Sequence, residues 1–230
     1  MPAKRLLVIE PHSDDGAIAA GGFLLKHRED FQLNFLLAVA SDVSLVHTGT
    51  VPRNARVSEF EHYCSFLGAR WVRPTTPRNQ MPLDKDGLLD VFERRELVAL
   101  IEEGIELVRP HTLIVTGPSF HHDHTAVFEA TMAALRPTAG YFPSEVLISE
   151  NPTYVYATPF ASSFQPNTYC QLSEAQLEAK LAMFQECFPS QIRESSNALS
   201  PEGIRKWAAY RGIEARSPYA EAFQTLHRAL

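Results

Sequence analysis

The chain has 230 residues, of which 45% are hydrophobic and 21% are charged. This composition excludes a chain that is disordered along most of its length, because the apolar residues are numerous enough to form a core. The length fits one α/β unit, so a single domain over residues 1–230 is predicted. With 21 basic against 27 acidic residues and a formal net charge of −6, the chain is not expected to bind nucleic acid.

The sequence also predicts a cytoplasmic protein without a membrane span. No apolar run reaches the roughly 18 residues that a spanning helix needs, and residues 1–5 lead into a short strand rather than a signal peptide. The three cysteines, Cys64, Cys170 and Cys187, are odd in number and include no CxxC pair. They therefore indicate neither a disulfide framework nor a thiolate metal cluster, and a reducing compartment fits best.

Predicted strands and helices alternate through residue 150. In chain order they are a strand at 6–9, a helix at 17–27, a strand at 33–40, a loop at 48–52, a helix at 53–67 ended by Gly68, a strand at 71–73, a proline-marked loop at 74–82, a helix at 93–108, a strand at 112–116, a helix from His124 and a strand at 145–149. This order predicts a three-layer α/β/α sandwich with a mostly parallel sheet. The C-terminal part is less regular, with helices predicted at 173–187, 201–210 and 219–230.

Two polar clusters follow predicted strands directly. Residues 12–15 read His-Ser-Asp-Asp, and residues 121–124 read His-His-Asp-His. Open α/β sheets bind their ligands at the carboxyl ends of the strands, so the clusters are expected to meet. An imidazole and a carboxylate from the first cluster, with an imidazole from the second, supply three ligands and leave one position open, as in catalytic zinc sites.

Each cluster also has a simpler interpretation. In the first, Ser13 can cap a helix while Asp14 and Asp15 complement its dipole. The second can be a surface loop that happens to be rich in histidine. The equivalent positions of the two clusters after strands favour a shared site.

The motifs resemble those of a known family. Residues 11–15 resemble the PHPDD(E) signature, and residues 121–124 the HxDH signature, of the PIG-L/LmbE-like zinc deacetylases. Further likenesses follow in the family's order along nearly the whole chain: Arg56-x-x-Glu59 with Leu67-Gly68, residues 180–191 and residues 219–223. The resemblance implies a Rossmann-like fold and metal-dependent hydrolysis of an amide.

The resemblance assigns roles to seven residues: His12, Asp15 and His124 as metal ligands, Asp14, His121 and Asp123 as catalytic residues, and Arg56 as a substrate contact. It implies that zinc activates a water molecule while Asp14 accepts the proton as general base. His121 then protonates the departing amine or stabilises the tetrahedral intermediate, with Asp123 orienting and charging its ring. Iron or cobalt also suits these ligands.

The implied activity is removal of an acetyl group from an N-acetylglucosamine-like small molecule, which releases a primary amine and acetate. Two alternatives remain: an amidase of the same mechanism that acts on a larger or non-sugar amide, and a metal-retaining binding module without turnover. Phe120 either stacks on a sugar face or packs in the core, and His122 is expected to be exposed. Family analogy also suggests a homo-oligomer.

Three positions depart from the family pattern. Ser13 replaces a proline and is still expected to cap the helix. Gly16 replaces a glutamate, and Glu10 stands where a small residue is common. Because Glu10 and Gly16 flank the metal loop, they weaken any transfer of the family's sugar specificity to this chain.

Overall fold

The computed structural model describes residues 4–45, 49–74, 89, 92–154, 164–194 and 197–229. Its strands are β1 (Lys4–Glu10), β2 (Phe31–Leu37), β3 (Val43–Leu45), β4 (Gly49–Val51), β5 (Arg70–Trp71), β6 (Thr112–Thr116), β7 (Glu145–Ser149), β8 (Thr168–Leu172) and β9 (Tyr219–Arg228). Its helices are α1 (Asp15–His27), α2 (Arg53–Leu67), α3 (Arg94–Val108), α4 (His122–Ala134), α5 (Glu174–Cys187) and α6 (Pro201–Ala215).

One sheet has the strand order β5-β2-β1-β6-β7-β9-β8. The pairs from β5 through β7 are parallel, whereas β9 runs antiparallel to both β7 and β8. The chain leaves β1 toward β2 and β5 and then returns to β6 on the opposite side of β1. The connections after β1 and β6 therefore diverge at a switch point, where a crevice for a ligand is expected.

The helices form two packed groups. Helix α5 contacts α1, α2 and α6, while α3 packs against α4. Helices α1 and α3, one from each group, both contact β1. All five residues of β6 are buried, as expected for a strand covered on both faces, which explains the apolar residues 113–115 at its centre. The predicted three-layer α/β/α architecture with a mostly parallel sheet is confirmed.

Several elements span the residues that local sequence patterns predict. Helix α2 spans residues 53–67 as predicted, and Gly68 ends it with a φ of 64°. Backbone N–H groups at this end of the helix donate hydrogen bonds to the carbonyls of Cys64 and Ser65. Glycine adopts the left-handed conformation that this requires without a steric penalty. Strands β6 and β7 also span the predicted residues.

Two predictions about secondary structure are wrong. The helix predicted at residues 219–230 is the long strand β9, and part of the predicted loop at 48–52 is β4, which pairs with β3. The segment of β9 gains hydrogen bonds from β7 on one side and β8 on the other, and such long-range pairing outweighs local propensity. Strand β8 was not predicted. The proline-marked loop lies outside the described residues from residue 75 onward.

A buried ion pair ties the C-terminal part to α1. Lys180 on α5 and Glu221 on β9 are 3% and 4% exposed, and Lys180 Nζ lies 2.6 Å from Glu221 Oε1. Lys180 also donates to the Ile18 carbonyl, while Glu221 accepts the backbone N–H groups of Gly22 and Phe23. The pair therefore fixes three elements that are distant in the sequence.

No described helix combines the length and apolar character that crossing a bilayer requires. The three cysteines are buried and free. The cytoplasmic location stays a prediction.

Candidate active site

The two polar clusters meet at the switch point. Residues 12–15 lead from β1 into α1, and residues 121–124 form the beginning of α4 after β6. The ring centroids of His12 and His124 are 5.1 Å apart, and those of His12 and His121 are 4.6 Å apart. Side chains separated by more than 100 residues therefore form one cluster.

Three donor atoms form a nearly equilateral triangle. His12 Nδ1 lies 3.2 Å from His124 Nε2, and Asp15 Oδ2 lies 3.3 Å from each of these nitrogens. Ligand atoms around a tetrahedral zinc ion with bonds of about 2.0–2.1 Å are separated by about 3.4 Å. These three atoms therefore fit one small divalent ion with little rearrangement.

His121 provides a second candidate ligand. One ring nitrogen from each of three histidines lies within 4.8 Å of the other two, in the set His12, His121 and His124. The set that contains Asp15 has shorter and more even separations, and its two types of donor, imidazole and carboxylate, are both ordinary ligands of zinc. We therefore favour His12, Asp15 and His124 as the ion-binding set.

Each of these three side chains has an outer hydrogen-bond partner: His12 pairs with Asp123 at 2.9 Å, Asp15 with Asn151 at 3.0 Å and His124 with Ser119 at 3.1 Å. Such partners are typical of metal centres, where they fix the tautomer and orientation of the ligands. The bond from His12 Nε2 to Asp123 leaves Nδ1 facing the centre of the triangle.

The electrostatics of the cluster follow from these contacts. Burial lowers the pKa of His12, but hydrogen bonds to Asp123 and Asp15 outweigh it and raise the pKa to about 9. Burial raises the pKa of Asp15, whereas His124 and His12 outweigh that effect and hold this pKa well below its usual range. Asp15 is therefore a carboxylate at neutral pH, as a metal ligand has to be.

The neighbouring carboxylate, Asp14, lies beside Arg56. Its Oδ1 lies 3.7 Å from Arg56 Nη2. Burial and then the charge of Asp15 raise the pKa of Asp14, against the opposing effects of Arg56 and His12. A carboxylate with a raised pKa beside a candidate metal centre suits a general base.

The surroundings of His121 differ from those expected, in which the Asp123 carboxylate orients its ring and favours its charged form. The Asp123 carboxylate bonds directly to His12, and its Oδ2 is 3.9 Å from His121 Nδ1. Burial and then the neighbouring rings of His12 and His124 lower the pKa of His121 to about 4. Because His121 Nδ1 accepts the backbone N–H of Asp123, the neutral ring carries its proton on Nε2.

A cavity of about 200 Å³ lies over the cluster, and its lining includes Arg56 and five of the other predicted site residues. The seventh, Asp123, is fully buried behind His12. The Nε atom of Arg56 is buried and has no hydrogen-bond partner among the described residues. Phe120 is 54% exposed, which excludes core packing, and it lines a neighbouring cavity with His122, which is exposed as predicted.

Sequence reasoning missed several residues of this site. Ser41, Thr153 and Gln191 line the cavity, and Asn151 and Ser119 contact the ligand set. The strand-end rule that located the two clusters also applies to β7, which pairs in parallel with β6. Applied there, it would have indicated Asn151 and Thr153.

One expectation about the loop after β1 is corrected. Ser13 is fully buried and its hydroxyl has no hydrogen-bond partner among the described residues. The residue that caps α1 is Asp14, and its side chain makes no capping hydrogen bond. Glu10 and Gly16 are absent from the described lining of the cavity, because Glu10 is fully buried and its Oε2 accepts the N–H of Gly16 at 3.1 Å.

This contact gives a prediction for Gly16→Ala. A Cβ at Gly16 would lie 2.7 Å from Glu10 Cδ, so the substitution is expected to lower the free energy of unfolding by about 1–3 kcal/mol. In a Glu10→Ala background the steric conflict disappears, and alanine becomes neutral or stabilising, because it is favoured over glycine in helices by about 0.5–1 kcal/mol. Urea denaturation of the four proteins checks this reversal of sign. Equal losses in both backgrounds would contradict it.

The chain matches a known protein family and a curated relative. A family model described as PIG-L: GlcNAc-PI de-N-acetylase matches residues 7–135, which include both polar clusters. A diacetylchitobiose deacetylase from Thermococcus kodakarensis is 26% identical over 231 residues, which cover 96% of this chain and 82% of the relative.

Solved structures share the fold. The 4-carboxy-2-hydroxymuconate hydratase GalB from Pseudomonas putida KT2440 superimposes with a TM-score of 0.72 at 18% identity, over 99% of this chain and 98% of GalB. The zinc-inhibited form of teicoplanin deacetylase Orf2 gives a TM-score of 0.66 at 14% identity, over 96% and 97% of the two chains. At these identities the likeness establishes the architecture alone.

Proposed function

We propose, because this chain belongs to the PIG-L family, that it is a metal-dependent hydrolase that removes the acetyl group from an N-acetylglucosamine-like substrate. The observation that carries the proposal is the triangle of His12, Asp15 and His124 donor atoms at 3.2–3.3 Å. Asp14 lies beside it in the same cavity. A candidate ion site, a candidate base and an opening for substrate are thus combined.

The donor set fits zinc, and Fe²⁺ or Co²⁺ can occupy the same nitrogen and oxygen ligands. When bound, such an ion acts as a Lewis acid that acidifies water and polarises the amide carbonyl. The outer partners Asp123, Asn151 and Ser119 hold the ligands in place for it.

The remaining chemistry belongs to Asp14 and His121. Asp14 accepts the proton of the attacking water, because it lines the same cavity as the ligand triangle and is not itself one of the three ligands. His121 is neutral at pH 7 and carries its proton on Nε2, so it donates a hydrogen bond to the developing oxyanion. Of its two expected roles, this arrangement favours stabilising the tetrahedral intermediate over protonating the amine.

Arg56 is proposed to bind the substrate through its guanidinium group. It lines the cavity, and its Nη2 lies 3.7 Å from the carboxylate of Asp14, the candidate base. The cavity volume of about 200 Å³ is below the 300–1,000 Å³ typical of pockets for drug-sized ligands. Only a small part of a large substrate, such as the acetamido group and its sugar ring, is therefore enclosed.

The test is primary-amine release from a panel of N-acetylglucosamine conjugates, with non-sugar acetamides and longer N-acyl groups in parallel. We expect release from a sugar conjugate and formation of one acetate per amine. Release only from non-sugar or longer-chain amides would favour the broader amidase. No release from any member, in protein shown to hold about one metal ion, would favour a binding module and contradict the proposal.

Metal removal gives a second expected result. Dialysis against a chelator should abolish amine release, and addition of one equivalent of Zn²⁺, Fe²⁺ or Co²⁺ should restore it. Because an ion at 100 times its Kd stabilises the folded state by about 2.7 kcal/mol, the Tm should fall on chelation. Calorimetry with and without metal measures this shift. Full activity in protein that contains no metal by elemental analysis would contradict the mechanism.

A further inference from the structure

Asn151 lies where the chain leaves β7, at the edge of the sheet that also carries the two polar clusters. It follows β7 by two residues, and β7 pairs in parallel with β6. Its side-chain Nδ2 lies 3.0 Å from Asp15 Oδ1. The other oxygen of Asp15, Oδ2, is the one that faces His12 and His124.

The orientation of the Asn151 amide is fixed by its other end. Oδ1 accepts hydrogen bonds from the backbone N–H of Thr153 at 3.0 Å and from the Thr153 hydroxyl. A flipped amide would point its NH₂ group at the Thr153 N–H, two donors against each other. The amide therefore presents a donor to Asp15, and this assignment follows from the hydrogen-bond pattern.

The backbone before Asn151 is also anchored. Glu150 is buried and accepts hydrogen bonds from Trp207 Nε1 at 2.9 Å and from Arg211 Nε at 2.8 Å. Both donors lie on α6. Asn151 is thus held between a buried ion pair on one side and a side-chain turn with Thr153 on the other, which limits its movement relative to Asp15.

We propose that Asn151 is a positioning residue for the metal: by binding Asp15 Oδ1 it directs Oδ2 toward the two histidine nitrogens. The inference rests on the proposed metal-dependent function. Since one carboxylate oxygen is occupied by the amide, Asp15 is held to a single oxygen ligand. A contact with His124 Nδ1 at 3.4 Å is longer than the bond of that nitrogen with Ser119 Oγ at 3.1 Å, so Asp15 is the main partner.

The test compares Asn151→Ala with Asn151→Ser. Serine keeps an oxygen that can accept from Thr153 N–H, but its side chain is too short to reach Asp15. Both variants are expected to bind Zn²⁺ about 10–100-fold more weakly than the wild type, the usual loss for an outer partner. Competition with a chromophoric chelator measures the Kd. The visible absorption of bound Co²⁺, which depends on its ligands, should change in both variants.

Controls separate this inference from the proposed function. Asn167→Ala removes an exposed amide beside β8, where it bonds with Thr225, and should leave the Zn²⁺ affinity unchanged. If the wild type itself does not bind divalent ions, the proposed function fails. If the wild type binds Zn²⁺ and both Asn151 variants match it in Kd and Co²⁺ absorption, the positioning role is overturned. If the Zn²⁺ affinity falls in Asn151→Ala but not in Asn151→Ser, the effect comes from the turn with Thr153, and the positioning role is overturned as well.

Discussion

The Asp14→Asn protein is expected to keep its fold and its metal while amine release falls by about 10²–10⁴-fold, the usual contribution of a general base. Asparagine has the shape of aspartate but cannot accept the proton of the attacking water. Asp14 is 7% exposed, and its described ionic partner is Arg56 at 3.7 Å. The substitution therefore removes a proton acceptor from the cavity without disturbing the ligand triangle.

Asp15→Asn is the matched comparison, because it makes the same chemical change at the neighbouring residue. It should lower the metal content and the activity together, since Asp15 Oδ2 lies 3.3 Å from both histidine nitrogens. Elemental analysis and kcat of the two variants, each with zinc added, separate the roles. An Asp14→Asn protein with wild-type kcat, or one that loses its metal, would show that Asp14 is not the base.

The Lys180→Met protein should lose about 3–5 kcal/mol of unfolding free energy, because it leaves the Glu221 carboxylate buried without its cation. For a domain of this size, 1 kcal/mol corresponds to about 2–4 °C in Tm, so a decrease of about 10 °C is expected. Glu221 is 4% exposed, and water therefore cannot replace the lost ammonium group. Thermal and urea denaturation of the metal-free protein measure the effect.

Lys26→Met provides the control for this prediction. Lys26 is an exposed residue of α1, and its ammonium group donates a hydrogen bond to the Gln171 carbonyl at the surface. Its replacement should change stability by less than about 0.5 kcal/mol. Adding Glu221→Gln to Lys180→Met should recover part of the loss, because it removes the unpaired buried charge while the amide oxygen can still accept one of the two N–H groups of α1. Equal effects of the two lysine substitutions would contradict the role assigned to the buried pair.

The sequence determined the elements whose signals are local. The span of β6, the span of α2 and its end at Gly68 follow from short-range patterning and capping, and the structure has them where predicted. The residues of the two polar clusters were found in the same way, since each stands next to a strand end. Segment 219–228 was assigned wrongly, because its strand conformation depends on hydrogen bonds from β7 and β8.

Only the tertiary structure decided the partners within the site. Asn151 is 136 residues from Asp15 in the sequence, and no local pattern specifies that contact. The bond of Asp123 with His12 rather than His121 likewise joins side chains that are 111 residues apart, and it depends on how β1 and β6 pack beside one another. Periodicity and strand ends indicate which residues approach the same edge of a sheet, whereas the distances between side chains from separate strands are fixed by packing.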